Sequence, residues 1–316
     1  MTTHFIEPAR ETVHGFFSRD LVPVLTVDSG DDVVLKTLNA GWHLDPNPET
    51  GHWHHEDRVA WFNPETDKGH ALNGPIAIRG AEPGMVLEVG IEDVVTGEWG
   101  WSLGGGFDSD LNRALGIAEE PPVADWWDLD PGAATATGRN GFKLPMRPFL
   151  GVMGMPPMEP GRHETAPPRV CGGNIDCKEL VAGTKLYLPI AVPGALFSAG
   201  DGHALQADGE MSGVAIECPL ERVRLRLTLR SDMTFTSPRA WTPDAWLTFG
   251  FDRDLDQATV MAIDAILNVI GEQTGLDRKH AMSLASLVVD LRVTQIVNGV
   301  KGVHAVLPHG ALAKSA

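Results

Sequence analysis

The residues best equipped for chemistry lie in two glycine-rich runs, Cys171-Gly-Gly-Asn-Ile-Asp-Cys177 and Gly200-Asp-Gly-His-Ala-Leu-Gln-Ala-Asp-Gly-Glu210. Together they bring Asn174, Asp176, Asp201, His203, Asp208 and Glu210 into forty residues. Apolar strand formers stand between and after them, Lys185-Leu-Tyr-Leu-Pro-Ile190 and Gly213-Val-Ala-Ile-Glu217, so the acids are expected at strand ends beside a core. Carboxylates held there need a cation. In an extended segment residues i and i+2 share a face, which pairs Asp201 with His203 and Asp208 with Glu210. Glycines 200, 202 and 209 leave out side chains that would crowd a metal or small ligand, and Gly172-Gly173 offers backbone N–H groups to a developing anion. One histidine with several carboxylates suits Zn²⁺, Mn²⁺ or Fe²⁺ at a hydrolytic site, whereas a mostly oxygen set favours Ca²⁺.

The elements that must position these groups are mostly strands. Leu21-Val-Pro-Val-Leu-Thr-Val27 and Asp32-Val-Val-Leu-Lys-Thr-Leu38, separated by Asp28-Ser-Gly-Asp31, predict a hairpin. Ile76-Ala-Ile78 and Met85-Val-Leu-Glu-Val-Gly-Ile91 bracket a turn at Gly80-Ala-Glu-Pro-Gly84. Arg222 to Leu229 alternates, with Val223, Leu225, Leu227 and Leu229 on one face, and reads as a half-buried strand. The period then changes. Asp256 to Gly271 (stripe Val260, Ile263, Leu267, Ile270) and Arg278 to Leu291 (stripe Ala281, Leu284, Val288, Leu291) predict two helices, the first ending near Gly275 and the second capped by Asp277. An Asn-Gly turn at Asn298-Gly299 leads into a last strand near Val303 to Leu307. The expected fold is mainly β, with sandwich or barrel-like subdomains and a C-terminal helical pair, α+β overall. Its divisions are a β-rich 1–120, a Pro/Gly-rich connection 121–173 and a motif-bearing 174–316, within one integrated unit 21–308.

Composition narrows the function classes. With 25 basic against 42 acidic residues the net charge is −17, which repels nucleic acid and anionic lipid and leaves no basic stripe for either. Three cysteines without framework spacing fit a reducing compartment. The polar opening Met1-Thr-Thr-His-Phe-Ile-Glu-Pro and the lack of a long apolar run predict a cytoplasmic protein with no membrane partner.

The motifs also carry a resemblance. Gly-Gly-Asn-x-Asp, then Leu186-Tyr-Leu-Pro-Ile-x-Val-Pro-Gly-Ala-Leu-Phe197, then Gly-Asp-x-His-Ala-x-Gln-x-Asp-Gly-Glu resembles the acetamidase/formamidase family of amide hydrolases. Asn73 to Val89 looks like that family's N-terminal sheet signature and Asp290 to Asn298 like its C-terminal one, so the likeness covers Leu21 to Pro308. It implies hydrolysis of a short aliphatic amide to carboxylate and ammonia, in a metal-containing β-rich fold that forms a homodimer or larger homo-oligomer. On that scheme Asp176, Asp201 and His203 are metal ligands, with Zn²⁺ the first choice and Ca²⁺ the alternative. Glu210 is the general base that also protonates departing ammonia, Asp208 a ligand or orienter, and Asn174 with the Gly172-Gly173 amides the oxyanion holder. Two departures from the family pattern stand out. Ala207 replaces a common glycine, and Asn39-Ala-Gly-Trp-His43 followed by His52-Trp-His-His-Glu56 replaces an acidic residue near a Gly-Gln step. The His52, His54, His55 and Glu56 cluster has metal-like spacing and defines an alternative, an amidohydrolase-like enzyme acting on another C–N bond. A non-catalytic small-molecule-binding β-sandwich is the third reading.

Overall fold

The alternating run at 222–229 lies inside the strand Leu220–Arg230, near the middle of a nine-stranded sheet. In spatial order that sheet runs Thr3–Ile6, Asp31–Leu35, Leu220–Arg230, Val86–Thr96, Lys185–Pro189, Arg239–Trp241, Ala245–Asp252, Lys301–Pro308 and Asp290–Gln295. A second sheet of eleven strands runs Lys143–Pro145, Thr135–Gly138, Val123–Asp130, Trp99–Gly104, Glu217–Cys218, Phe197–His203, Phe149–Gly154 and Gly172–Asn174, and Leu72–Ile78 branches from Phe197–His203 carrying Val13–His14 and Leu25–Val27. This computed structural model describes residues 1–45 and 58–313, so the His52–Glu56 cluster lies outside the described residues. Strand accounts for 39% and helix for 12%, which makes the fold mainly β and α+β overall, as expected. One apolar cluster joins both sheets, with Val33, Leu225 and Leu247 from the first packed together with Leu150, Met153 and Phe197 from the second.

One turn signal holds a different connection from that expected, and a second joins the strands expected on either side of it. The turn at Asp28–Asp31 does not close a hairpin: Leu25–Val27 pairs in parallel with Leu72–Ile78, while Asp31–Leu35 pairs with Thr3–Ile6 and Leu220–Arg230 in the other sheet. Asp31 explains the divergence, because its carboxylate accepts from the Asp28 and Thr2 amides and anchors the chain to a different neighbour. The turn near Gly80–Gly84 likewise carries the chain from Leu72–Ile78 to Val86–Thr96, from one sheet to the other. Both are corners between layers. The Pro/Gly-rich 121–173 contributes four strands of the second sheet, among them Phe149–Gly154, buried along its whole length.

The helical pair is present as Leu255–Thr274 and Arg278–Val288. Asp277 caps the second helix by accepting from Lys279 N and His280 N, and Gly275 ends the first in the left-handed conformation at φ 75°. The buried face of the first helix combines Ala258, Ala262 and Ala265 with Ile266, Leu267, Val269 and Ile270, so that of the expected stripe Leu267 and Ile270 are buried and Val260 is exposed. Close approach selects alanine here. A Cβ at Gly250 on the strand beneath would stand 1.9 Å from Ala258 O, so helix and sheet touch backbone to backbone. The second helix ends three residues early because Asp290–Gln295 begins a strand, paired through the Asn298-Gly299 turn with Lys301–Pro308 as expected. No helix among the described residues is long and apolar enough to cross a membrane.

Candidate functional site

Sheet pairing, more than sequence proximity, assembles the site. The fully buried strand Phe197–His203 is bordered on one edge by Phe149–Gly154 and on the other by Leu72–Ile78 and Glu217–Cys218. Register puts Phe149, His203, Glu217 and Trp101 in one row across four strands. Cross-strand neighbours lie on one face, so Glu217 joins His203 and, two residues back, Asp201. His203 Nε2 lies 3.2 Å from Asp201 Oδ1 and 3.4 Å from Glu217 Oε1. Asp176 arrives just after the strand Gly172–Asn174, where Gly151 O accepts from the amides of Ile175 and Asp176. Its Oδ1 is 4.0 Å from His203 Nδ1, and its Oδ2 accepts from Asn298 Nδ2 at 2.5 Å. Glu210 completes a second trio with Asp176 and His203, so two groups of candidate ligands share one imidazole.

Gln206 settles which nitrogen of that imidazole is available. Its Nε2 donates to the carbonyl of Asp176 at 2.8 Å, which turns its Oε1 toward His203 Nδ1 at 2.9 Å. An oxygen acceptor there requires the proton on Nδ1. His203 Nε2 is thereby left facing Asp201 and Glu217, the orientation open to a metal when a polar neighbour holds the other ring nitrogen.

Backbone strain marks the same residues. Seven described non-glycine residues have positive φ, and three of them are Asp176 (51°), Asp201 (63°) and Glu210 (45°). Such conformations cost on the order of 1 kcal/mol or more each and persist where the surroundings over-determine them. Here they turn three carboxylates toward one imidazole.

The residues present fit a divalent cation. Asp176, Asp201, Glu210 and Glu217 are all at least nine-tenths buried, and among the described residues no lysine or arginine pairs with any of them. Among the described residues Asp176 Oδ1, Asp201 Oδ1, Glu210 Oε2 and Glu217 Oε2 have no hydrogen-bond partner. Four buried carboxylates around one histidine are sustainable only with added positive charge. Three of the four, Asp201, Glu210 and Glu217, line a cavity of about 850 Å³ together with Asn174, His203 and Asn298.

Electrostatics without a cation are frustrated. Burial pushes the Asp176 carboxyl up to about 7 against the opposing charge of His203. Burial and then the Asp176 charge push Glu210 well above the usual carboxylate range. Burial also acts upward on Asp201, but the charges of His203 and His70 outweigh it and hold this carboxyl at about 2. Burial disfavours the charged His203 ring, yet Asp201 and Glu217 overcome it and raise the ring well above an ordinary imidazole. Asp176 and Glu210 thus keep protons in the fold that the unfolded chain releases above about pH 4, so stability falls as pH climbs from there toward 7. His203 adds stability at low pH that is lost as pH rises through its raised value, and Asp201 adds stability that is lost only as pH falls toward 2. A divalent cation replaces those protons. Zn²⁺ is therefore expected to raise Tm more at about pH 8 than at about pH 5.5, by about 3 °C or more, in thermal melts of stripped and loaded protein. An equal or smaller shift at the higher pH would contradict this electrostatic reading.

Not every sequence candidate lies in the cluster. Asp208 pairs with Lys178 at 2.7 Å and is half-buried, because residues 204–208 leave the strand and the i, i+2 relation to Glu210 is lost. Gly172 spends its amide on Arg169 O, and neither Gly172 nor Gly173 belongs to the cavity wall. Gly200 and Gly202 make room for neighbouring strands, since a Cβ there would meet Ala71 O at 2.3 Å and Cys218 O at 2.5 Å. The glycine that makes room for the cluster is Gly151, where a Cβ would stand 2.3 Å from Asp201 Oδ2 and 2.6 Å from Asp176 Oδ1. Sequence reading missed Gly151, Glu217, Gln206, His70 and Asn298. Glu217 had a usable signal, an acid ending an apolar strand run; Gly151 had none.

The chain is similar to known proteins over most of its length. A profile of the acetamidase/formamidase family matches residues 2–162 and 158–310. The chain is 28% identical over 320 aligned residues to a putative formamidase of Schizosaccharomyces pombe, covering 78% of this chain and 75% of that protein. It is 26% identical over 250 residues to a formamidase of Methylophilus methylotrophus, with 63% of this chain and 60% of that protein covered. The solved structure of an acetamidase from Bacillus halodurans is similar at a TM-score of 0.82 and 27% identity, covering 96% of this chain and 97% of that one.

Proposed function

The chain belongs to the acetamidase/formamidase family, and from that we propose that it hydrolyses a short aliphatic amide of the formamide or acetamide kind to a carboxylate and ammonia. The observation that carries this reading is the buried set of unpartnered carboxylate oxygens around His203, facing a cavity able to admit a small amide. Asp176, Asp201 and His203 would hold a divalent cation, Zn²⁺ in the first instance or Ca²⁺, and Glu217 extends the notional ligand set. When bound, such an ion polarises the amide carbonyl and lowers the pKa of a water toward neutrality.

The chain's own groups do the rest. Glu210, with Oε2 unpartnered beside the cavity, takes a proton from the attacking water and passes it to the amide nitrogen as the C–N bond breaks. Its place on the cavity wall suits it to that exchange, because a general base must stand within reach of the water it deprotonates. Asn174 lines the same cavity without a side-chain partner for its Oδ1, and its amide group offers the tetrahedral oxygen a donor. Gln206 and Asn298 hold His203 and Asp176 in place. Asp208 is left out of the machinery. Outer faces of the two helices leave Val260, Met282 and Leu287 exposed, which supports assembly into a homo-oligomer.

The test is ammonia release from formamide, acetamide and propionamide by the purified protein. Saturable release from at least one is expected. No release from any of them, with the metal content established, would sink the proposal.

A further inference from the structure

A separate buried group of metal-type donors lies behind the Asp176 loop. Cys177 Sγ, a Glu179 carboxylate oxygen and a His304 ring nitrogen lie within 4.8 Å of one another. Cys177 and His304 are fully buried and Glu179 is 7% exposed. Cys177 Sγ is 3.2 Å from Glu179 Oε2, and His304 Nε2 is 3.5 Å from the same oxygen. A tetrahedral Zn²⁺ with ordinary bond lengths separates sulfur from oxygen by about 3.5 Å and nitrogen from oxygen by about 3.3 Å. The observed separations fall close to both.

The surroundings fix each donor from behind. Thr294 Oγ1 lies 2.8 Å from His304 Nδ1, which leaves Nε2 facing Cys177 and Glu179. Arg292 donates to Glu179 Oε1 at 2.8 Å and leaves Oε2 facing inward. Thr184 Oγ1 donates to the Glu179 carbonyl. Without a cation, the thiol donating to Glu179 and Glu179 paired with Arg292 make a satisfied chain, except at one atom. His304 Nε2 is buried and, though 3.5 Å from Glu179 Oε2, makes no hydrogen bond among the described residues. That orphaned nitrogen, aimed at a thiol and a carboxylate, is what a purely structural ion-pair network does not account for.

We propose that Cys177, Glu179 and His304 form a second cation site, suited to Zn²⁺, that staples the Asp176 loop to the nine-stranded sheet. Cys177 and Glu179 belong to the connection between Gly172–Asn174 and Lys185–Pro189, and His304 to the strand Lys301–Pro308. On binding, the ion takes the place of the thiol proton, which leaves to solvent, and bonds form to Sγ, Oε2 and Nε2. Sulfur among the ligands favours zinc over calcium or magnesium. Three protein donors leave one tetrahedral position for a water. The site holds no substrate; it fixes the segment on which Asp176 adopts its strained conformation.

A thiolate distinguishes this site from the carboxylate cluster around His203. The full-length protein, stripped and reloaded with Co²⁺, is expected to show thiolate-to-cobalt charge-transfer absorption. The band should survive His203→Ala and disappear in Cys177→Ser and in His304→Gln, each losing about one metal equivalent per chain relative to wild type. Absence of the band from Co²⁺-loaded wild type overturns the proposal, whatever the variants do and whether or not the His203 site binds metal. Persistence of the band in either variant that folds overturns it as well.

Discussion

Replacing Gly151 with alanine is expected to lower kcat/KM for the preferred amide by about a hundredfold or more, with little change in the circular-dichroism spectrum. The added methyl would stand 2.3 Å from Asp201 Oδ2, 2.6 Å from Asp176 Oδ1 and 2.9 Å from His203 Cε1. Three side chains the account needs in one place would all have to give way. Gly151 is not among the positive-φ residues, so alanine fits the backbone and the damage is confined to the space that the carboxylates occupy. Misplacement of reacting groups by about 1 Å carries penalties of this order. Steady-state kinetics alongside metal content would read the effect, and activity within about threefold of wild type would show that these carboxylates tolerate displacement and do not define the centre.

Glu210→Gln and Asp208→Asn should separate cleanly although the two residues stand two apart. The glutamine keeps Glu210's shape and loses its capacity to carry a proton, so kcat should fall by about 10² to 10⁴. Among the described residues Asp208 pairs with the part-exposed Lys178, and its asparagine variant should stay within about threefold of wild type, as partly solvated ion pairs contribute little. Equal losses in both variants would mean that the stretch from Asp208 to Glu210 acts as a unit, against the arrangement described.

Local chemistry was legible in the sequence where it is decided within a few residues. Asp277 capping its helix, Gly275 ending the preceding one and the alternating run at 222–229 all depend on neighbours in the chain. The pairing of Asp201 with His203 could be read for the same reason, since both lie on one strand. Long-range pairing was not legible. Glu217 reaches His203 through strand register, Gly151 through its position opposite Asp201 on a neighbouring strand, and Asn298 from the far end of the chain. The turn chemistry at Asp28–Asp31 was recognised, but which sheet each flank joins is set by partners distant in sequence. Periodicity also misled where the chain stops being a strand: the same-face argument works for 201 and 203 and fails for 208 and 210. In the first long helix the expected stripe holds at Leu267 and Ile270 and fails at Val260, because the close approach of Gly250 to Ala258 O puts alanine at the contact with the sheet.

Everything in the functional account depends on a cation at His203 and its four carboxylates. The most direct measurement is ammonia release by metal-stripped protein before and after a divalent ion is restored, with His203→Ala run in parallel. Stripping is expected to abolish release, Zn²⁺ or another divalent ion to restore it, and His203→Ala to stay inactive at every metal concentration. Full activity in protein shown by elemental analysis to be metal-free, or metal-dependent activity that survives His203→Ala, would contradict it.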